Sequence, residues 1–207
     1  MPENSTKLGN ATKLGNATKL NEDLPALLPK AGLPPAAAQC VAGLSGTAAA
    51  LAALESAALL AEATRLIAHA LPRREAVWWA CMCARHTAPA TLAEADAAAI
   101  LAAELWVRTQ TDTDRRTAFG HAQTAGFATP EAWAAVGAFW SGDSLAPLGQ
   151  APVAPPAHVA AAAVAGAVAL ASVRDDPARR DDRLRHFLAS AREIGAGGVG
   201  RLPPERG

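Results

Sequence analysis

The chain has 207 residues and a mass of 21.1 kDa; 51% of its residues are hydrophobic, 18% charged and only 4% aromatic, which suits one domain. Lys+Arg and Asp+Glu both number 19, so the formal charge is zero; no excess charge steers the chain to a phosphate backbone or anionic lipid, and a nucleic-acid partner is disfavoured. With 55 alanines and no tyrosine, helix is favoured over strand, and the fold expected is all-α, a compact bundle of about seven helices with a flexible N-terminal arm.

The arm opens the chain. Thr6 to Ala11 is repeated as Thr12 to Ala17 and begun again at Thr18-Lys-Leu20, and all four lysines and all four asparagines fall within the first 30 residues. This composition separates residues 1–30, a repetitive arm, from a single helical domain over 31–198 and a loose tail over 199–207. Gly-Asn pairs punctuate each repeat with turn chemistry. Leu8, Leu14 and Leu20 recur at even spacing as candidate anchors for a protein partner or for self-association. Asn4, Asn10 and Asn16 begin Asn-x-Ser/Thr triplets, the glycosylation acceptor pattern. The first residues hold no apolar signal core, so the triplets are expected to stay unmodified and the chain to be cytoplasmic. Cys40, Cys81 and Cys83 are too few for a disulfide framework, which fits the same compartment.

From Pro34 the chain breaks into helices at proline and glycine. A short helix runs from Pro34-Pro35 to about Leu44, and a long one from Gly46-Thr47 toward Ala70, bent near Glu55-Ser56. Pro72 suits the first turn of a helix over 73–86. Helices over 91–109 and 112–125 follow, then one begun by Thr129-Pro130 and stopped at Ser141-Gly142. A proline-rich connector over 145–156 leads to helices over 157–173 and 177–194.

Trp78 and Trp79 sit on different faces of the 73–86 helix, so at least one is buried and that helix is central. Trp133, Val136, Gly137 and Trp140 repeat the three-four-seven spacing, with Gly137 leaving room for a neighbouring helix. Residues 157–173 carry no formal charge, but this stretch is short for a membrane span and mostly alanine. Ala162, Gly166 and Leu170 fit tight packing inside a core instead.

The chemistry does not close on a catalytic or metal site. Cys81 and Cys83 point about 200° apart on a helix and cannot chelate together; Cys83 and His86 share a face, yet a structural zinc needs about four ligands. Ser141-Gly-Asp-Ser144 reads as a helix stop followed by an Asx or serine turn. Arg179 to Arg183 alternates charge as a solvated, self-paired face.

Two segments together, Arg73 to Arg85 (RREAVWWACMCAR) and Ala138 to Pro147 (AFWSGDSLAP), resemble an uncharacterised proteobacterial family of Ala-rich helical proteins, some associated with type VI secretion gene clusters. The resemblance extends from about Leu66 to Gly198 and takes in Glu104 to Arg108 and Val164 to Val168. Asp143 departs from it, since glycine is expected there. It implies a context and no catalytic residue. The expected function is therefore a non-enzymatic adaptor working through protein contacts, with no cofactor or metal, and with Asp143, Ser144, Leu145 and Leu148 on the connector as candidate partner-binding residues. The alternatives are an enzyme or metal protein whose site is assembled from scattered His and Cys, and a membrane-associated component.

Overall fold

The structure, a computed structural model, describes residues 18–205. All regular structure among them is helical: α1 (Leu24–Ala31), α2 (Pro35–Cys40), α3 (Thr47–Ser56), α4 (Leu60–Ala70), α5 (Arg73–His86), α6 (Glu94–Thr109), α7 (Asp112–Thr124), α8 (Pro130–Trp140), α9 (Val159–Val173) and α10 (Arg180–Gly195), with a 3-10 turn at Pro177–Arg179 before the last. The all-α class is as expected; ten α-helices replace the expected seven or so.

Two departures account for the two helices beyond the eight segments read from the sequence. The expected 47–70 helix is two, because Ala58 takes a left-handed φ of 57° and its N–H and that of Leu59 fold back to Glu55 and Leu54. That turn lets α3 and α4 bury Leu51, Leu54, Leu66 and Ile67 in the same core. The second is α1, inside the segment expected to be a free arm. Asp23 accepts the Ala26 N–H at 3.2 Å as its N-cap, Gly32 closes it at φ 56°, and Leu24 and Leu27 are buried. The chain before α1 is docked as well. Lys19 N–H donates to Gly195 O and Asn21 N–H to Ala70 O, while a Glu22 carboxylate oxygen accepts the Thr47 N–H at 2.8 Å at the start of α3. The arm boundary at residue 30 is therefore wrong for residues 18–30; residues 1–17, with Leu8 and Leu14, lie outside the described residues.

The core is centred on α5, which packs against α6, α8, α9 and α10. Trp79 is completely buried and its indole N–H donates to Phe187 O at 2.8 Å; Trp78 is half-buried and donates to Val199 O. Alanine allows the surrounding helices to approach closely. A Cβ on Gly137 of α8 would lie 3.2 Å from Val164 of α9 and 3.5 Å from Val77 of α5, which is the close approach its spacing implied.

On α9 the expected packing face is corrected. Ala160, Ala163, Val164, Ala167, Val168 and Ala171 are buried, whereas Ala162 is exposed and Gly166 and Leu170 are half-buried at the surface. Among the described residues, no helix is long and apolar enough to cross a membrane.

One ion pair is buried within this packing. Glu131, in the first turn of α8, is 1% exposed; one carboxylate oxygen meets the Arg174 guanidinium and the other, Oε1, has no hydrogen-bond partner. A histidine is also held out of ionisation. Burial of His69 on α4, with the positive charges of His158, Lys30 and Arg65 around it, lowers its pKa from 6.5 to about 4. The unfolded chain then binds a proton that the folded chain refuses. Its contribution to stability is complete above pH 6.5 and is lost as pH falls toward 4. Thermal melts of His69→Gln should show a flatter fall in Tm from pH 6.5 to 5 than the parent; parallel curves would contradict this.

Candidate functional site

The connector after α8 is built from the inside outward. α8 stops at Ser141, whose hydroxyl donates to Gly137 O at 2.7 Å and whose carbonyl accepts from Arg73 at 3.1 Å. Beneath the next residues lies Arg115 of α7, 3% exposed, with its guanidinium 5.1 Å from the centroid of the Phe139 ring. Its Nε donates to Asp112 at 2.6 Å, Nη1 to Phe139 O at 3.2 Å and Nη2 to Ser144 O at 2.7 Å. The backbone crosses this side chain at Gly142, where any Cβ would overlap the Arg115 Nε, Cδ and Cζ atoms. Only glycine permits the crossing there.

Beyond Gly142 the loop closes on itself. Leu145 N–H donates to Val153 O at 2.7 Å. The Ser144 hydroxyl accepts the N–H of Ala146 at 3.1 Å and of Val153 at 3.0 Å, so of the Asx or serine turn expected from the sequence it is the serine turn that forms. At the tip, Gln150 N–H donates to Pro147 O, with Gly149 in the left-handed region at φ 82°. Ala146 packs inward, and Leu148 is left 76% exposed with Val153 at 56%. The result is an apolar side chain carried on a loop of fixed shape.

The four connector candidates therefore come together. Asp143 and Leu148 are exposed; Ser144 and Leu145 are half-buried and form the base of the loop rather than its contact surface. Leu20 does not join them. It is half-buried against α10, where a Cβ on Gly195 would sit 2.9 Å from its Cγ, so it is a packing residue and its expected role as a free anchor is corrected. Nothing in the sequence spacing pointed to Arg115, since the arginine and the carbonyl it holds are 29 residues apart.

The cysteines and histidines do not converge. Cys81 and Cys83 are completely buried; burial pushes both thiols well above their ordinary range, reinforced at Cys81 by the nearby Glu104 charge. His86 turns from Cys83 toward the end of the chain, where its Nδ1 donates to Pro203 O. Among the described residues, no three His, Cys, Asp or Glu side chains are grouped as metal ligands would be. Thiolate is the reactive form, so iodoacetamide should modify half-buried Cys40 in the native protein and reach Cys81 and Cys83 only after denaturation. Peptide mass mapping that finds either of them labelled first would contradict the packing of α5.

A family model described as "Family of unknown function (DUF6931)" matches residues 50–195, from within α3 to the last residue of α10. No curated protein and no solved structure matches the chain.

Proposed function

Since the chain belongs to that family of unknown function, we propose from its geometry that it is a non-enzymatic adaptor, which uses the 144–153 loop to contact a protein partner. The observation that carries this reading is Leu148, 76% exposed, on a loop whose two ends are already tied by hydrogen bonds. A loop ordered in advance loses little conformational freedom on binding, so burial of its apolar tip goes mainly into affinity. The fitting partner surface is a shallow apolar pocket that receives Leu148, with Val153 at its edge. The resemblance of the 73–85 and 138–147 segments supports a bacterial type VI secretion-related assembly as the setting.

The test is affinity capture from the native host with the full chain, Leu148→Asp and, as a control, Leu101→Asp, an exposed leucine on α6. The reading predicts at least one protein retained by the parent and the Leu101 variant and lost with Leu148→Asp. The same proteins retained by all three would overturn it.

A further inference from the structure

Arg183 lies in the run expected to be a solvated, self-paired face. Arg180 with Asp181 and Arg185 with Asp182 do form exposed pairs, but Arg183 is 4% exposed. Its Nη1 donates to the carbonyls of Ser172, Arg174 and Asp176 at 3.2, 2.6 and 3.3 Å, which closes the end of α9. Those acceptors are neutral. The carboxylate that balances the buried charge comes from 22 residues away: Glu205 Oε2 accepts from Nη2 at 2.6 Å and from Nε at 3.1 Å, and Arg179 meets Glu205 Oε1 at 2.9 Å. The hydrogen bond from Arg183 holds the Glu205 carboxyl below the usual carboxylate range against the opposing effect of burial.

The backbone that carries Glu205 is read separately, by one residue at the end of α5. His86 O accepts the Glu205 N–H at 2.7 Å and His86 Nδ1 donates to Pro203 O. Pro203 and Pro204 have no N–H of their own, so this pair satisfies the backbone donor of the segment. Upstream the chain is fixed at Gly200, whose carbonyl accepts from Ser190 at 2.6 Å, and Leu202 packs against the core; release of residues 203–205 would leave both of these anchors in place. With Pro204 and Glu205 in place, a cavity of about 770 Å³ stays open beside them, lined also by Arg85, Thr87, Leu92 and Arg179. Side-chain recognition of a carboxylate, main-chain recognition of an extended proline-containing strand and unused space beside both are the parts of a peptide-binding site.

We infer that this cleft binds an extended, glutamate-bearing segment of a partner protein, and that residues 203–205 fill it in cis when the partner is absent. The site lies apart from the Leu148 loop and does not depend on it. The experiment uses the full chain and a fluorescent synthetic peptide of sequence Arg-Leu-Pro-Pro-Glu, read by anisotropy. Glu205→Gln keeps the shape of the cis segment and removes its charge. This variant should bind the peptide at least tenfold more tightly than the parent, and should bind the peptide with glutamine in place of glutamate at least tenfold more weakly. Failure of Glu205→Gln to bind the peptide, or equal binding of the two peptides, would overturn the inference. In the parent chain, amide exchange at Glu205 should accelerate on addition of excess glutamate peptide and not of its glutamine form; no acceleration would equally count against it. A concentration-dependent dimer of the parent, lost in Glu205→Gln, would assign the cleft to a second copy and overturn the partner assignment.

Discussion

Trp79→Ala should lower the unfolding free energy by about 3–5 kcal/mol, the cost of a cavity of that size in a close-packed core. Trp79 is completely buried on α5 and its indole N–H is the donor to Phe187 O on α10. The substitution therefore removes the contact with α10, while the Phe187 carbonyl keeps its partner within the helix. A domain of this size has a total stability of about 5–15 kcal/mol, so the variant stands near the edge of folding. Trp78→Ala, one residue earlier, is the matched comparison. Trp78 is half-buried against the 197–199 turn, and its loss should cost distinctly less. Urea denaturation of both variants measures the difference; equal costs would contradict the central position of α5.

Arg174→Met should be destabilising by about 3–5 kcal/mol, because it strands the Glu131 carboxylate in the core. Glu131 is 1% exposed and one of its oxygens already lacks a partner. With Arg174 removed, the carboxylate loses the guanidinium that pairs with it, and the more distant charge of Arg85 is left to act on it. Glu131→Gln alone should cost less, since it removes the buried charge and leaves Arg174 with the Ala84 carbonyl, 3.4 Å from Nη1. The double variant separates pairing from packing: it should be more stable than Arg174→Met alone, by on the order of 1–3 kcal/mol. Strictly additive costs would show that the two side chains act independently.

The features legible in the sequence are those fixed by local chemistry. Thr129 was expected to begin a helix, and its hydroxyl accepts the Ala132 N–H at 3.3 Å; α7 is capped by Thr111, one residue before the expected start at 112. Pro72 marks the start of α5, although it stands at the N-cap and not in the first turn, and of the Asx or serine turn expected after α8 it is Ser144 that makes the turn. The misses have physical causes. Helix α1 carries a local signature, Asp23 before Leu24-Pro25 with Leu27 behind it, but the lysine- and asparagine-rich composition of the first 30 residues masked it. The break between α3 and α4 falls at Ala58, a residue type with no preference for a left-handed φ, so the turn is imposed by packing. At the candidate site, the loop residues could be read because proline, glycine and serine mark a turn wherever they cluster. What holds the loop could not. The Arg115 clamp on Ser144 and the Arg183 clamp on Glu205 join residues 29 and 22 positions apart, and no helical or strand period links such distances. In composition, Arg183 also looked identical to its solvated neighbours; only the fold turns it inward.

The loop geometry is tested most directly by amide hydrogen exchange on the unmodified chain. Leu145 and Val153 donate their N–H groups inside the loop, to Val153 O at 2.7 Å and to the Ser144 hydroxyl at 3.0 Å, whereas Leu148 and Gly149 sit at its tip. A loop closed in advance of binding predicts exchange at Leu145 and Val153 at least tenfold slower than at Leu148 and Gly149, with no partner present. Exchange of all four at the rate of an unstructured peptide would contradict it, and with it the presentation of Leu148 as a fixed contact.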